Sequence, residues 1–338
     1  MKKNILGKTG LEVTCLGFGG IPIQRLTEQE AIDVIKELKN QGINFIDTAI
    51  GYTVSEGYIG KALKEVGRDS FYIATKAMGY TYDTMKAFIE QSLRQLDVEY
   101  IDLYQIHNVS KQEQFDNVIS ENGAFKALLE AKEKGLIKHI GVTSHNITMV
   151  EKFLDYDIIE TIQFPFNVVE QQAVEVFKKA KERNVGVLSM KPLAGGAIND
   201  GALAIKYILS KEYIDVAIPG MNTIEQVKEN VSVIDDIKLT EEDNKKIEKI
   251  KEELSGNFCR RCEYCLPCPN QVNIPQNFLL EGYYTRYNLK EWALERYEGL
   301  GNGKASECIE CGICEEKCPY NLPISSMLKN VCDKLEKL

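Results

Sequence analysis

Eight short apolar runs, rich in β-branched and aromatic residues, punctuate residues 13–220: VTCLGFGG, INFIDTA, FYIATK, IDLYQIH, KHIGVTS, TIQFPF, GVLSMKP and DVAIPG. Between them lie longer stretches such as TEQEAIDVIKELKNQG, YDTMKAFIEQSLRQLD and AVEVFKKAKERN, whose apolar residues recur three and four apart. The first kind reads as strands buried on both faces, the second as amphipathic helices. Eight strands each followed by a helix are what a closed parallel barrel requires. The pattern therefore predicts an α/β fold, a (β/α)8 TIM barrel. A doubly wound sheet would more often use fewer strands and place a glycine fingerprint after the first one.

Ahead of the first barrel strand, GKTGLEV reads as a hairpin turn between two short apolar segments, placed to plug the bottom of the barrel. The last barrel helix, TEEDNKKIEKIKEEL, gives way to SGN, and cysteines follow. Residues 1–255 are therefore expected to form the barrel and residues 256–338 a small, mostly α-helical second domain. At 338 residues and 44% hydrophobic content, the chain can bury a full core. No run approaches the ~20 apolar residues of a membrane span. The net charge of -9 disfavours nucleic acid and anionic membrane surfaces as partners. With no signal-like start, the expected location is cytoplasmic, where ten cysteines serve as metal ligands or free thiols rather than disulfides.

Active sites of such barrels gather at the carboxyl ends of the strands. Four polar residues stand there: Asp47 and Tyr52 after the second strand, Lys76 ending the third and His107 ending the fourth. A phenol is a poor acid at neutral pH, but a nearby ammonium lowers its pKa, and a carboxylate beside that ammonium keeps it charged and oriented. The set suits proton donation to a carbonyl, with His107 orienting the group. His145, in GVTSHN, is placed to approach a cofactor or substrate, whereas His139 is expected to be structural. Tyr80, Tyr82, Phe164 and Phe166 near the expected mouth suggest an apolar wall, although aromatic residues there are as often core.

The segments FIDTAIGY, SEGYIGKAL, IATK and DLYQIH, with the opening LGKTGLEVTCLGFGG, resemble the aldo-keto reductases over about the first 235 residues. That resemblance implies an oxidoreductase exchanging hydride between a nicotinamide cofactor and a small-molecule carbonyl or alcohol substrate. It implies Tyr52 as general acid, Lys76 and Asp47 as its tuners, and His107 as the carbonyl-orienting residue. It further implies Thr143, Ser144 and Gln163 as carboxamide contacts and Met190 where many members stack an aromatic ring. Lys191 reads as a pyrophosphate contact or as a surface lysine. Glu229 and Asn230 stand where adenine is usually contacted. The cationic positions for a 2'-phosphate are Gly220 and Gln226 here, which weakens the case for NADPH and leaves NADH open.

In the tail, Cys308, Cys311, Cys314 and Cys318 followed by Pro319 have the spacing of a ferredoxin 4Fe-4S run. Cys259, Cys262, Cys265 and Cys268 with Pro269 form a second run, one residue shorter between its last two cysteines. Four-thiolate zinc sites are the rival reading. Two runs that each end in Cys-Pro favour two 4Fe-4S clusters. By the crossing seen in two-cluster ferredoxins, one cluster would take Cys259, Cys262, Cys265 and Cys318, and the other Cys308, Cys311, Cys314 and Cys268. The tail resembles the helical ferredoxin domains appended to oxidoreductases. The segment EGYYTRYNLKEWALERY, with Trp292 and four tyrosines, is expected to cover the barrel mouth. The clusters would exchange electrons with a redox partner protein, be structural, or sense oxygen or iron. A rival for the whole chain is a non-catalytic nicotinamide-binding sensor or electron-transfer subunit.

Overall fold

The computed structural model describes residues 1–254, 259, 264–285 and 290–336, without the side chain of Trp292. These residues form two compact units, Met1–Ala194 with Ile198–Glu252, and Gly195–Ala197 with Glu253–Leu338. The expected boundary at residue 255 lies outside the described residues.

The first unit opens with a hairpin, β1 (Lys3–Ile5) antiparallel to β2 (Glu12–Thr14). Eight parallel strands follow: β3 (Phe18–Gly19), β4 (Phe45–Asp47), β5 (Tyr72–Ala77), β6 (Ile101–Ile106), β7 (Ile137–Thr143), β8 (Thr161–Pro165), β9 (Gly186–Met190) and β10 (Val216–Ile218). Each pairs with the next, and parallel bridges from Leu16 to Ala217 and from Gly19 to Gly220 close the ring. The helices are α1 (Glu28–Asn40), α2 (Ser55–Val66), α3 (Tyr82–Leu96), α4 (Gln112–Ile119), α5 (Ala124–Glu133), α6 (Ile147–Phe153), α7 (Val174–Glu182), α8 (Gly201–Leu209), α9 (Ile224–Ser232) and α10 (Glu241–Glu253). Eight strands in sequential order around a closed sheet are the predicted barrel.

The run at 13–20 does not act as one strand. Val13 and Thr14 pair with the hairpin, and only Phe18 and Gly19 join the barrel. Thr14 makes the switch, because its Oγ1 donates to the Leu16 carbonyl (2.7 Å) while its N–H donates to Asn44 Oδ1 (2.7 Å). The hairpin does plug the barrel. Leu6 and Val13 pack with Phe45, Ala74, Leu103, Leu188 and Val216. Gly7, at φ +50°, passes so close beneath β9 that a Cβ there would lie 2.2 Å from the Gly186 nitrogen.

Strand alternation sorts the interior by height. Phe45 and Asp47, Ala74 and Lys76, and Leu103 and Gln105 each lie two apart, so each pair shares a side of its strand. Because Phe45, Ala74 and Leu103 belong to the interior cluster, the layer above them is charged and polar. For the strand aromatics the core reading holds. Phe166 is fully buried, stacked on Tyr207 and in edge or tilted contact with Tyr213 and Phe177, and Phe164 is equally buried. Tyr82 donates to Glu130 instead (2.8 Å).

The second unit holds α11 (Ile274–Thr285), α12 (Lys290–Glu298), the short α13 (Ile313–Glu316) and α14 (Ile324–Leu335). Its own core gathers Val272, Ile274, Leu280, Tyr297, Leu328 and Val331, with Cys265, Cys314 and Cys318 buried among them. Tyr297 accepts from the Ala305 N–H (3.0 Å) and donates to Glu336. Tyr297 belongs to this core, and Tyr283 and Tyr284 are half-buried against it. Tyr287 and the Trp292 side chain lie outside the described residues.

Candidate active site

Asp47 ends β4, Lys76 sits near the end of β5, and both are almost wholly buried. Lys76 Nζ donates to Asp47 Oδ1 (2.5 Å) and to the Thr48 carbonyl (2.8 Å). The second oxygen of Asp47 accepts from Gln105 Nε2 (3.0 Å), and Gln163 Nε2 lies 3.5 Å from the first. Tyr52, in the turn after β4, places its ring 5.1 Å from Lys76 Nζ, close enough for the ammonium to favour its phenolate. His107, just past β6, meets the Tyr52 ring edge to face at 6.2 Å. Strand ends 29 residues and more apart in sequence thus bring the four predicted groups together.

Their electrostatics differ from the sequence expectation in one respect. The phenol of Tyr52 is pushed above its ordinary range, because burial disfavours the phenolate more than Lys76 favours it, and Asp47 adds to the rise. Burial works against the Lys76 ammonium, but Asp47 and Tyr52 more than offset it and hold the amine charged. His107 is pushed well below its ordinary value by burial and by the charges of Lys76 and Lys191. It is therefore a neutral imidazole at neutral pH.

The residues assigned to the nicotinamide line the next three strand ends. Thr143 and Ser144 are buried, and both hydroxyls already hold the loop after β6: Thr143 Oγ1 accepts from the Asn108 N–H (3.0 Å), and Ser144 Oγ donates to the Val109 carbonyl (2.6 Å). Gln163 approaches Met190 Sδ (3.7 Å), while its buried Oε1 has no hydrogen-bond partner. A buried carbonyl of this kind is ready to accept from an amide N–H, which fits the carboxamide of a nicotinamide. Lys191 adopts φ +56° beyond β9 and lies within electrostatic reach of His107 and His145. His145 is buried with Nδ1 3.3 Å from Asn108 Oδ1, and His139 bonds Glu160 (2.7 Å).

Gly220, Gln226, Glu229 and Asn230 form a separate group on the loop after β10 and on α9. Gln226 Oε1 accepts from the Asn222 N–H (2.8 Å), and Thr223 caps the helix through the Gln226 N–H (3.2 Å). A Cβ at Gly220 would strike Pro22 Cγ at 2.6 Å. Asn230 is buried and, with the exposed Glu229, faces Gly201 at the start of α8. No hydrogen bond given for the described residues joins these side chains to Asp47, Tyr52, Lys76 or His107.

Sequence reasoning assigned no role to Gln105, although a signal was present. It lies on β6 two residues after Leu103, and the period of two places it on the interior side of that strand, just before His107.

In the tail, Cys268, Cys308, Cys311, Cys314 and Cys318 are free thiols, Cys259 is half-buried, Cys265 is buried, and Cys262 lies outside the described residues. Burial pushes the Cys314 thiol up to about 11, with further contributions from Glu315, Cys308 and Cys268. Cys308 of the same run and Cys268 of the first run thus both act on Cys314. Among the described residues no three His, Cys, Asp or Glu side chains converge closely enough to hold a metal ion. The donor chemistry, all thiols around an apolar core, suits iron–sulfur clusters. Among these residues no helix is long and apolar enough to cross a membrane.

The aldo/keto reductase family model matches residues 15–203 and 199–252, and a 4Fe-4S dicluster domain model matches 258–323. L-galactose dehydrogenase of Arabidopsis thaliana is 27% identical over 283 residues, covering 69% of this chain and 88% of its own. The NADH-specific methylglyoxal reductase of Escherichia coli is 27% identical over 238 residues, or 62% of this chain and 72% of that protein. The solved holo form of an aldo-keto reductase from Bacillus halodurans superimposes with a TM-score of 0.65 at 27% identity, covering 74% of this chain and 96% of that one. This chain belongs to the aldo/keto reductase family of oxidoreductases, with a 4Fe-4S dicluster domain following its barrel.

Proposed function

We propose that the barrel, ending near residue 255, reduces a small carbonyl compound, or oxidises the matching alcohol, with Tyr52 as proton donor. The observation that carries this reading is the buried Asp47–Lys76 pair set against the Tyr52 hydroxyl with neutral His107 alongside. A nicotinamide, when bound, supplies the hydrogen and two electrons that reach the carbonyl carbon. The chain's own residues do the rest. Tyr52 Oη donates its proton to the carbonyl oxygen. Lys76, held charged by Asp47, stabilises the phenolate left behind. Neutral His107 orients the carbonyl by hydrogen bonding. Thr143, Ser144 and Gln163 would hold the carboxamide, with Gln163 Oε1 as acceptor, and Met190 would lie against the ring. Glu229 and Asn230 would contact the adenine.

Gly220 and Gln226 offer no cation to a 2'-phosphate, so NADH is the preferred cofactor. The Escherichia coli relative named NADH-specific accords with this. The two cysteine runs would hold two clusters, each taking its fourth thiolate from the other run, and a 4Fe-4S cluster carries one electron at a time. A non-catalytic sensor has no use for a buried ion pair tuned against a phenol, so that rival is set aside.

The test is anaerobic turnover of methylglyoxal and other small carbonyls with NADH and NADPH. Losing a charge-assisted phosphate contact should leave NADPH about tenfold or more weaker than NADH. Tyr52→Phe should abolish turnover while nucleotide binding persists. Full residual activity would remove Tyr52 from its role.

A further inference from the structure

Asp47 is held from two sides, and the second side belongs to a residue with no role so far. Gln105 is fully buried on β6, and its Nε2 donates to Asp47 Oδ2 at 3.0 Å, while Lys76 occupies Oδ1. Gln105 and Lys76 are register partners on adjacent strands, so the amide reaches past β5 to the carboxylate on β4. Gly141 leaves it room. A Cβ there would lie 3.1 Å from Gln105 Cγ and 2.1 Å from Thr161 Oγ1. In a layer built from alternate strands, β4, β6 and β8 supply Asp47, Gln105 and Gln163, and both amides point a nitrogen at the carboxylate.

We propose that Gln105 is a positioning residue for the proton donor: by holding Oδ2 it keeps Asp47 turned toward Lys76 and sets how much ammonium charge is left for the Tyr52 hydroxyl. The inference rests on the reading of Tyr52 given above. A carboxylate that accepts from an amide is a weaker base, so it draws less on Lys76. Remove the amide and Asp47 takes more of the ammonium's charge, leaving less to stabilise a phenolate. The other ionisable groups coupled to this centre are Glu56 on α2, which Lys76 affects, and His107 and Lys191 at the neighbouring strand ends. None of them replaces Gln105 on Oδ2.

The experiment is a pH titration of the full-length protein, purified without oxygen, followed by carbon-labelled tyrosine NMR with the Tyr52 signal identified by Y52F. Gln105→Met keeps the length of the side chain and removes the amide. It should raise the Tyr52 midpoint by about half to one pH unit, the share of one charge-assisted hydrogen bond that passes through Asp47 and Lys76. Q105E is isosteric but replaces the donor by a carboxyl that is ionised at the alkaline pH of this titration, so it should raise the midpoint at least as far. An unmoved midpoint in folded Gln105→Met, or a midpoint that Q105E lowers, overturns the proposal. Where Gln105→Met does not fold, Gln105→Leu and Q105E carry the same comparison. The titration needs no substrate, so it can fail while Tyr52→Phe still abolishes turnover. If Tyr52→Phe retains turnover, the underlying reading falls and this inference with it.

Discussion

The mouth of the barrel and the cysteine tail are both sites made of side chains from distant parts of the sequence, but they are built in different ways. At the barrel mouth the groups are already joined: Asp47, Lys76, Gln105 and Gln163 form one hydrogen-bonded cluster, and Lys76 Nζ lies 5.1 Å from the centre of the Tyr52 ring. In the tail the thiols lie in or against an apolar core, with Cys268 and Cys308 both acting on Cys314, yet no described trio closes on a metal. The difference has a physical origin. A ring of strands fixes the direction of each inward side chain, so its polar layer is organised by the backbone. Thiols have no such ladder, and the binding of a cluster supplies the free energy that draws them together.

Breaking the preassembled side should produce the largest effect. Lys76→Met should lower kcat by about a hundredfold or more, since it removes a charge that assists proton transfer. It also leaves the Asp47 carboxylate buried without its cation, which costs about 3–5 kcal/mol and should show as a lower Tm. An unchanged Tm would mean that the pair is not part of the scaffold. On the other side, stripping iron with a chelator should unfold the tail while the barrel keeps its own melting transition, resolved by calorimetry. If both transitions fall together, the contrast between the two regions is wrong. Cys268→Ser sharpens the same point, because crossed ligation predicts loss of the cluster held by Cys308, Cys311 and Cys314 rather than the one held by its own run. Iron content should fall from about eight to about four per chain.

Two smaller effects depend on pH. His107 and His145 have folded pKa values below those of the unfolded chain, for which burial is the leading cause. The unfolded state therefore takes up more protons below about pH 6.5, and stability falls with acidification by up to about 1.4 kcal/mol per pH unit for each histidine. Denaturant melts between pH 7 and pH 5 measure this slope, and replacing His145 by Gln should reduce it. Catalysis should be less sensitive still. With His107 neutral and Tyr52 protonated, carbonyl reduction should stay flat across neutral pH and decline only on the alkaline side, above the ordinary phenol value of about 10. A break near pH 6.5 in the rate profile would contradict that charge assignment.

Much of this molecule could be read from residue order. Eight apolar runs separated by amphipathic stretches specify strands and helices because the two periods differ, and eight such units leave a closed barrel as the way to bury every strand. Asp47, Tyr52, Lys76 and His107 could be singled out because strand ends are where a barrel exposes its chemistry. The cysteine spacing marked the tail as a cluster domain, since short regular spacing reflects ligand geometry. Tertiary structure decided the rest. Burial, a property of the assembled fold, raised the Tyr52 phenol where charge arguments alone lowered it. Phe164 and Phe166 went to the core and not to the mouth, because a shift of one residue along a strand reverses the face. The hold of Gln105 on Asp47 spans 58 residues and a whole intervening strand. Local pattern places each of them on a strand, but only closure of the barrel brings the amide and the carboxylate within 3.0 Å.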